Sequence, residues 1–86
     1  KNLPETLVGE SLLRNGMSII ELIHGSKIMF SKSEIKRAIK EKGIKVNDIL
    51  IESEKNFIYL KDFKENGCVK ISHGKKKHFI VRLKKP

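Results

Sequence analysis

The chain has 86 residues, of which 38% are hydrophobic, and it carries a formal net charge of +9. A domain of this size buries only about 60% of the surface that its unfolded chain exposes, so we expect a thin core and no large active site. No apolar run approaches the roughly 20 residues that a membrane-spanning helix needs, and no secretory signal is visible. We therefore expect one small soluble domain, and because it begins at Lys1 without Met, we expect it to be part of a longer protein.

Cys68 is the only cysteine, so the sequence excludes an internal disulfide. Cys68 and the three histidines are scattered and lack the spacing of metal ligands, so neither a metal nor another cofactor is predicted. We expect an intracellular compartment. Cys68 itself is predicted to be a small buried residue near the start of a strand.

The basic excess lies in two parts of the sequence. Residues 31–50 carry six basic and three acidic groups, and residues 67–86 carry seven basic groups and no acidic one. Such clustering is typical of a nucleic-acid-binding protein. Two alternatives stay open on charge alone: the charge only keeps the protein soluble, or it meets an anionic membrane surface.

The first sixteen residues include one proline and two glycines, which predicts a linker segment packed on a domain formed by residues 17–86. A short helix within residues 10–15 is an open option. The apolar side chains of the segment are expected to cover part of the core; they are Leu3, Leu7, Val8, Leu12 and Leu13.

Two serine–glutamate pairs predict the starts of two short helices. In each pair the serine precedes the glutamate by three residues, the spacing of a capping box that satisfies backbone donors of the first turn. Ser18 and Glu21 start a helix that is apolar on most sides and ends near Gly25, and Ser31 and Glu34 start the second helix.

The second helix has one apolar side and one basic side. Lys32, Lys36 and Lys40 follow each other at four-residue steps, so they line up along one side, with Arg37 next to them. Gly43 is expected to end the helix. The stripe that faces the core has helical spacing and consists of Ile35, Ala38 and Ile39.

After Gly43 the apolar period changes from 3.6 to 2, which predicts strands. Asn47 and Asp48 supply a two-residue hairpin turn, and His73 and Gly74 supply a second tight turn. The predicted strands are residues 44–46, 49–52, 57–60, 68–72 and 75–83. The predicted fold class is α+β, with two or three short helices packed on a small, mostly antiparallel sheet of about five strands.

Catalytic motifs are absent as convincing patterns. The sequence has no phosphate-binding glycine-rich loop of known spacing, and its Ser, His and Asp residues are not grouped for nucleophilic or acid–base chemistry. We therefore predict that this chain is not an enzyme by itself.

Phosphate binding is better supported. The hydroxyls of Ser31 and Ser33, the free backbone N–H groups of the helix start and the Lys32 charge favour an anion there. The basic side of the helix extends this surface towards the first strand. The predicted RNA-binding residues are Ser31, Lys32, Ser33, Lys36, Arg37, Lys40, Lys42, Lys45 and Asn47.

The aromatic residues argue against binding of open single strands. Phe57, Phe63 and Phe79 are predicted to lie in the core, and stacking of bases requires exposed rings. The expected target is therefore structured RNA, recognised through its shape, its phosphates and its 2′-hydroxyls.

A second basic group is a candidate RNA patch. Its lysines lie beside the predicted His73–Gly74 turn, where they either reach the RNA from the same side or keep an edge strand from pairing with other chains. The sequence leaves both roles open. The residues of this patch are Lys75, Lys76, Lys77, His78 and Arg82.

Three stretches resemble a known family. "FSKSEIKRAIKEKGIKVND" is similar to the S4 RNA-binding module, with its Ser-x-Ser-Glu helix start, basic helix, glycine, and strand ending in Val-Asn before a tight turn. "VKISHGKKKHFIVRL" resembles the last hairpin of the S4-like domain at the C-terminus of bacterial and organellar tyrosyl-tRNA synthetases. "LPETLVGESLLRNGMSIIELI" is similar to the segment that leads into that domain, so the resemblance covers most of the chain.

The resemblance implies an S4-like fold with an αL motif, in a part of a tyrosine-tRNA ligase that is non-catalytic and binds tRNA. The implied partners are tyrosine tRNA, gripped near its variable arm and anticodon stem, and an upstream catalytic domain of the parent chain. The implied location is the bacterial cytoplasm or an organellar matrix. The family's RNA face carries over to the residues predicted above except Lys42.

The sequence departs from the family pattern at two places. "HGSKIMF" is longer than the usual link between the helices, and Asp48 stands where glycine is common in the turn. Two other functions stay open: an S4 domain of another structured-RNA-binding protein, such as a ribosome-associated factor or a pseudouridine synthase, and a basic interaction domain without specific RNA binding.

Overall fold

A computed structural model describes residues 5–26, 31–63 and 67–84. The link between the helices, noted above for its length, includes residues 27–30 and so lies partly outside the described residues. Along the described ranges no helix is long and apolar enough to span a bilayer. The described residues form two helices, seven strands and two short 3-10 helices. The elements are β1 (Glu5–Gly9), β2 (Met17–Ser18), α1 (Ile19–Gly25), α2 (Lys32–Lys40), β3 (Ile44–Val46), β4 (Ile49–Leu50), β5 (Phe57–Ile58), β6 (Cys68–His73) and β7 (Lys77–Lys84), with short 3-10 helices at Glu10–Leu13 and Leu60–Asp62.

The five-stranded main sheet has the order β1-β7-β6-β3-β4. β1 runs parallel to β7, whereas the other neighbouring strands are antiparallel. The predicted α+β class, with short helices and a mostly antiparallel sheet, is confirmed. The sequence does not predict the strand β1, because its partner β7 lies at the opposite end of the chain and no local pattern reports such a pairing.

A second, two-stranded sheet pairs β2 with β5, with Met17 opposite Ile58 and Ser18 opposite Phe57. The strand predicted at residues 57–60 is therefore shorter than expected and does not join the main sheet. Leu60 begins one of the two 3-10 helices instead.

The helix α1 begins at the predicted serine. The Ser18 Oγ accepts a hydrogen bond from the N–H of Ile20 at 3.2 Å. The reciprocal half of the predicted capping box is wrong, because the Glu21 carboxylate lies 2.8 Å from the Lys32 ammonium instead of reaching back to the helix start. The helix ends at Gly25, as expected.

The start of α2 is also confirmed, since the Ser31 Oγ accepts a hydrogen bond from the Glu34 N–H at 3.2 Å. The helix ends at Lys40, and the left-handed residue of its C-terminal cap is Lys42, with a φ of 60°, rather than the predicted Gly43. The Gly43 N–H then donates to a carbonyl inside the last turn at 2.8 Å, which completes a Schellman motif. Lys42 thus adopts a conformation that normally favours glycine.

The predicted two-residue turn between β3 and β4 is confirmed. Asn47 and Asp48 have φ angles of 51° and 69°, the left-handed pair of a type I′ turn. Asp48 therefore takes a left-handed conformation that normally favours glycine. The Asn47 side chain ties the turn to two other segments, donating to the Asp62 carbonyl at 3.1 Å and accepting from the Lys70 N–H at 3.1 Å.

The core lies between the helices and one face of the main sheet, because buried residues of α1, α2, β3, β6 and β7 form a single cluster. Alternation along the strands turns the other face of the sheet outward. On β3, for example, Ile44 and Val46 are buried whereas Lys45 is exposed.

Several apolar residues differ from their predicted burial. Leu7 and Leu12, expected to cover the core, are 59% and 58% exposed, although Leu13 is fully buried. Leu3 lies outside the described residues. The predicted buried Cys68 is half-buried at the first position of β6.

The three phenylalanines predicted to lie in the core differ in their burial. Phe63 is buried, Phe79 is half-buried, and the prediction for Phe57 is wrong, because its side chain is 47% exposed. Phe57 shares β5 with Ile58, and Ile58 takes the position that faces the core.

Candidate nucleic-acid interface

The helix α2 buries its apolar stripe and exposes its basic residues. Lys36, Arg37 and Lys40 are exposed and, with Ser33, line a shallow depression of about 370 Å³. Glu54 also lines it, with its Oε1 3.8 Å from the Lys36 Nζ. Three cations around one carboxylate make this depression, which we call the α2 depression, suited to a phosphate.

The start of α2 is partly engaged within the protein. The Ser31 hydroxyl caps the helix, whereas Ser33 is exposed. The Lys32 ammonium pairs with Glu21, and its hydrogen bond and charge lower the pKa of that carboxyl below the ordinary value of 4.5. Both side chains are about half exposed, at 49% and 56%, so the pair is weak and a phosphate can compete with Glu21 for Lys32.

The remaining predicted residues do not all share this surface. Lys42 is exposed directly after the helix. Lys45 points to the outer face of the sheet, because its neighbours on β3 face the core, and it lies opposite Ser72 of β6. Asn47 is half-buried and holds the turn through its carboxamide, a structural role that the sequence does not predict.

Lys70 is a basic residue of the outer face that the prediction omitted. It lies between the buried Val69 and Ile71 on β6, and its Nζ is 3.0 Å from the Asp48 Oδ1. The alternation of apolar residues in this strand is the signal that could have placed Lys70 on the outer face.

The predicted second patch is divided along β7. Lys75 and Lys76 are exposed at the turn before the strand, and Lys77 is exposed at its first position. Both ring nitrogens of His78 have partners in the hairpin: Nδ1 lies 3.2 Å from the Ser72 Oγ, and Nε2 lies 3.2 Å from the Lys75 carbonyl oxygen. His78 therefore holds the turn.

Arg82, the last residue of the predicted patch, is paired with the first strand. Its Nη2 donates to the Glu5 Oε2 at 2.9 Å, and its Nε donates to the Oε1 at 3.4 Å. These hydrogen bonds, and then the charges, lower the pKa of Glu5 and raise that of Arg82.

The edge-strand alternative for the lysines of the hairpin stays a prediction. β7 lies between β1 and β6 in the sheet, but β1 pairs only with Ile80–Lys84 of β7. Within the described ranges, the first three residues of β7, which follow Lys75 and Lys76, pair with β6 alone. Both roles of these lysines, RNA contact and protection of a strand edge, therefore remain open.

Among the residues that the structure describes, no three side chains suited to metal binding are grouped.

No protein-family model matches the chain. Comparison with individual proteins finds relatives that share one name. It is 44% identical over 82 residues, or 95% of its length, to the tyrosine–tRNA ligase of Pelagibacter ubique. The tyrosine–tRNA ligases of Rickettsia felis and Bartonella quintana are each 37% identical, over 96% and 95% of this chain.

The chain spans about 20% of the length of each of these relatives. The sequence similarity therefore covers nearly the whole chain and a small part of each ligase. The chain is a small α+β domain that is homologous to about one-fifth of the length of tyrosine–tRNA ligases from bacteria.

Proposed function

We propose that the chain binds tyrosine tRNA and that a catalytic domain elsewhere in a longer tyrosine–tRNA ligase performs the aminoacylation. The observation that carries this proposal is the α2 depression, where Lys36, Arg37 and Lys40 surround a space open to solvent. Relatives named for their action on tRNA support RNA as the ligand. Their bacterial origin supports a cytoplasmic location.

Binding is mainly electrostatic in this proposal. The backbone N–H groups at the start of α2 and the cations along the helix contact successive phosphates of the RNA backbone. Shape and 2′-hydroxyl contacts orient the tRNA, with its variable arm and anticodon stem as the region gripped, as the resemblance to the S4-like domain implies. If about four to six phosphates are neutralised, log K falls with log salt with a slope of about −3 to −5.

The first test is an NMR titration of the isotope-labelled chain at near-physiological salt. One RNA is tyrosine tRNA, and the control is a tRNA that lacks the long variable arm. We expect the amides of residues 31–47 to shift selectively with tyrosine tRNA. Weak, equal shifts of scattered lysines with both RNAs would contradict the proposal.

A pair of matched variants tests the face. Lys36→Glu/Arg37→Glu reverses two charges at the α2 depression. Arg14→Glu/Lys84→Glu makes the same change in net charge at two exposed residues outside it. We expect the first variant to abolish detectable binding and the second to retain most of it, with near-parental thermal unfolding in both cases because all four side chains are exposed. Equal losses would show that only net charge matters.

A further inference from the structure

Two exposed aromatic rings lie together on the part of the chain that follows β4. Phe57 and Tyr59 are 47% and 41% exposed, and their ring centroids are 6.4 Å apart with the planes inclined by 34°. They project to the same side because the residue between them, Ile58, is 3% exposed and faces the core. Exposed neighbouring rings are the feature that stacking of bases requires.

Gly16 supports the two rings from the opposite side. A Cβ at this position would lie 2.6 Å from the Tyr59 Cε2 and 3.1 Å from the Phe57 Cδ2, so the rings pack where a side chain would otherwise be. The Tyr59 N–H also donates to the Asp62 Oδ2 at 2.8 Å. The rings are therefore held in place without a ligand, which lowers the entropy cost of binding one.

A depression of about 360 Å³ lies beside the rings. Ile49, which is 67% exposed, and the carboxamide residues Asn47 and Asn56 also line it. Its volume lies within the range of small-molecule sites and suits one base. We call this space the aromatic depression.

Lys61 supplies a cation at the aromatic depression. Its Nζ lies 5.8 Å from the centroid of the Tyr59 ring. Asp62 also lines the depression, and its Oδ2 accepts the Tyr59 N–H, which directs that oxygen to the backbone although the carboxylate keeps its charge. Lys61 can therefore hold a phosphate next to a stacked ring.

We propose that the aromatic depression binds one unpaired nucleotide of an RNA, with its base stacked on the Phe57 or Tyr59 ring and its phosphate held by Lys61. Apolar rings, carboxamides and a cation together match a base with its phosphate better than they match an apolar peptide. The inference rests on the proposed function and deepens it, because the RNA must present a base outside its helices. It also reverses part of the expectation that the aromatic residues argue against binding of single-stranded RNA, because that expectation placed Phe57 in the core.

Tyr59 provides a direct reporter, because the chain has one tyrosine and no tryptophan. The probes are two RNA hairpins that share a stem copied from the variable arm of tyrosine tRNA and a tetraloop whose bases stack on one another. One hairpin carries an additional unpaired nucleotide as a bulge in its stem, and the other, the paired hairpin, does not. We expect the hairpin with the unpaired nucleotide to quench the Tyr59 fluorescence and to shift the Phe57 and Tyr59 ring protons upfield. The paired hairpin should leave both signals nearly unchanged while it shifts the amides of residues 33–40.

A variant makes the test quantitative. Phe57→Leu/Tyr59→Leu keeps apolar side chains over Gly16 and removes the aromatic surface. We expect it to weaken binding of the hairpin with the unpaired nucleotide by about tenfold, the size of one stacked base, and binding of the paired hairpin by less than about twofold. A thermal unfolding curve confirms the fold, and the single change Phe57→Leu serves if the double variant unfolds.

The outcomes separate the two proposals. Shifts at residues 33–40 with unchanged ring signals for both hairpins would overturn the nucleotide site and leave the proposed function standing. No shift at either place would overturn the proposed function. Hydroxyl-radical footprinting of a full-length tyrosine–tRNA ligase that contains this chain gives a further outcome: protection of Tyr59 without RNA would assign the aromatic depression to another part of the polypeptide and overturn the inference.

Discussion

The two basic parts of the chain look alike in sequence and differ in which of their cations are paired. On α2, Lys32 pairs with Glu21 at the helix start, and Lys36 has a long contact with Glu54, at 3.8 Å. Arg37 and Lys40 take part in none of the ion pairs formed among residues 5–26, 31–63 and 67–84. In the C-terminal region the paired cations are Lys70 on β6 and Arg82 on β7. The later part of α2 therefore offers its cations to a ligand as one group, whereas two strand cations of the C-terminal region are used within the protein.

The sheet causes this difference. β1 lies parallel to β7, which brings Glu5 to Arg82, and the β3–β4 turn brings Asp48 to Lys70. The partners of the α2 cations, Glu21 and Glu54, come instead from α1 and from the segment after β4. Counting charges along the sequence thus overestimates the available charge in both parts.

Charge reversal at the two regions should produce the largest difference. Lys36→Glu/Arg37→Glu and Lys75→Glu/Lys76→Glu change the net charge equally. We expect the α2 variant to weaken binding of tyrosine tRNA by about 100-fold or more, and the hairpin variant by about tenfold or less, because fewer phosphates reach the hairpin. Fluorescence anisotropy at one fixed salt concentration measures both, and equal losses would remove the distinction between the two regions.

The salt dependence of binding should sharpen the comparison. Lys36→Ala/Arg37→Ala removes two phosphate contacts, so the slope of log K against log salt should become shallower by about 1.4 to 1.8. Glu5→Ala/Arg82→Ala removes an ion pair of zero net charge and should leave the slope unchanged. A change of slope in Glu5→Ala/Arg82→Ala as large as that in the α2 variant would contradict this expectation. It would mean that Arg82 exchanges Glu5 for a phosphate of the RNA.

The left-handed Lys42 at the end of the α2 surface should affect stability rather than only binding. Lys42→Gly removes a side chain from a φ of 60°, so the free energy of unfolding should rise by about 0.5 to 1 kcal/mol. Urea denaturation measures this change. Lys42→Ala keeps the Cβ and should show no gain, while both variants lose the same ammonium. A gain in the alanine variant would mean that the lysine charge, not the backbone, costs stability.

The smallest effects concern pH. The pKa of Glu21 and that of Glu5 are lowered in the folded protein by Lys32 and Arg82, so the stability from each pair is complete above the ordinary value of 4.5 and is lost as the pH falls through the lowered pKa. A carboxyl NMR titration should show Glu21 returning towards 4.5 in Lys32→Met, with Glu5 unchanged. An unchanged Glu21 would mean that Lys32 is not its partner in solution.

The same titration in the presence of RNA compares the two regions once more. If a phosphate takes Lys32 from Glu21, the pKa of Glu21 should rise on binding, because the hydrogen bond that lowers it is lost. The pKa of Glu5 should stay low, because Arg82 keeps its partner. A rise at Glu5 instead would place the RNA on β7.

The sequence predicts much of the local structure and part of the candidate site. The basic side of α2 follows from helical spacing, and the structure indeed groups Ser33 with the cations of that helix. Lys45 and Asn47 show the limit of this reasoning, because adjacency in sequence does not place residues on one surface. Lys45 lies on the outer face of the sheet, and Asn47 uses its carboxamide to hold the turn.

The sequence by itself determined the serine caps of α1 and α2, the type I′ turn at Asn47–Asp48 and the alternation of β6 and β7, because each depends on residues a few positions apart. The tertiary structure decided which charges and rings are available. Arg82 pairs with Glu5, which lies at the other end of the chain, and Phe57 lies outside the core and packs against Gly16. Burial and pairing depend on segments that meet only after folding, so local patterns in the sequence could not specify them.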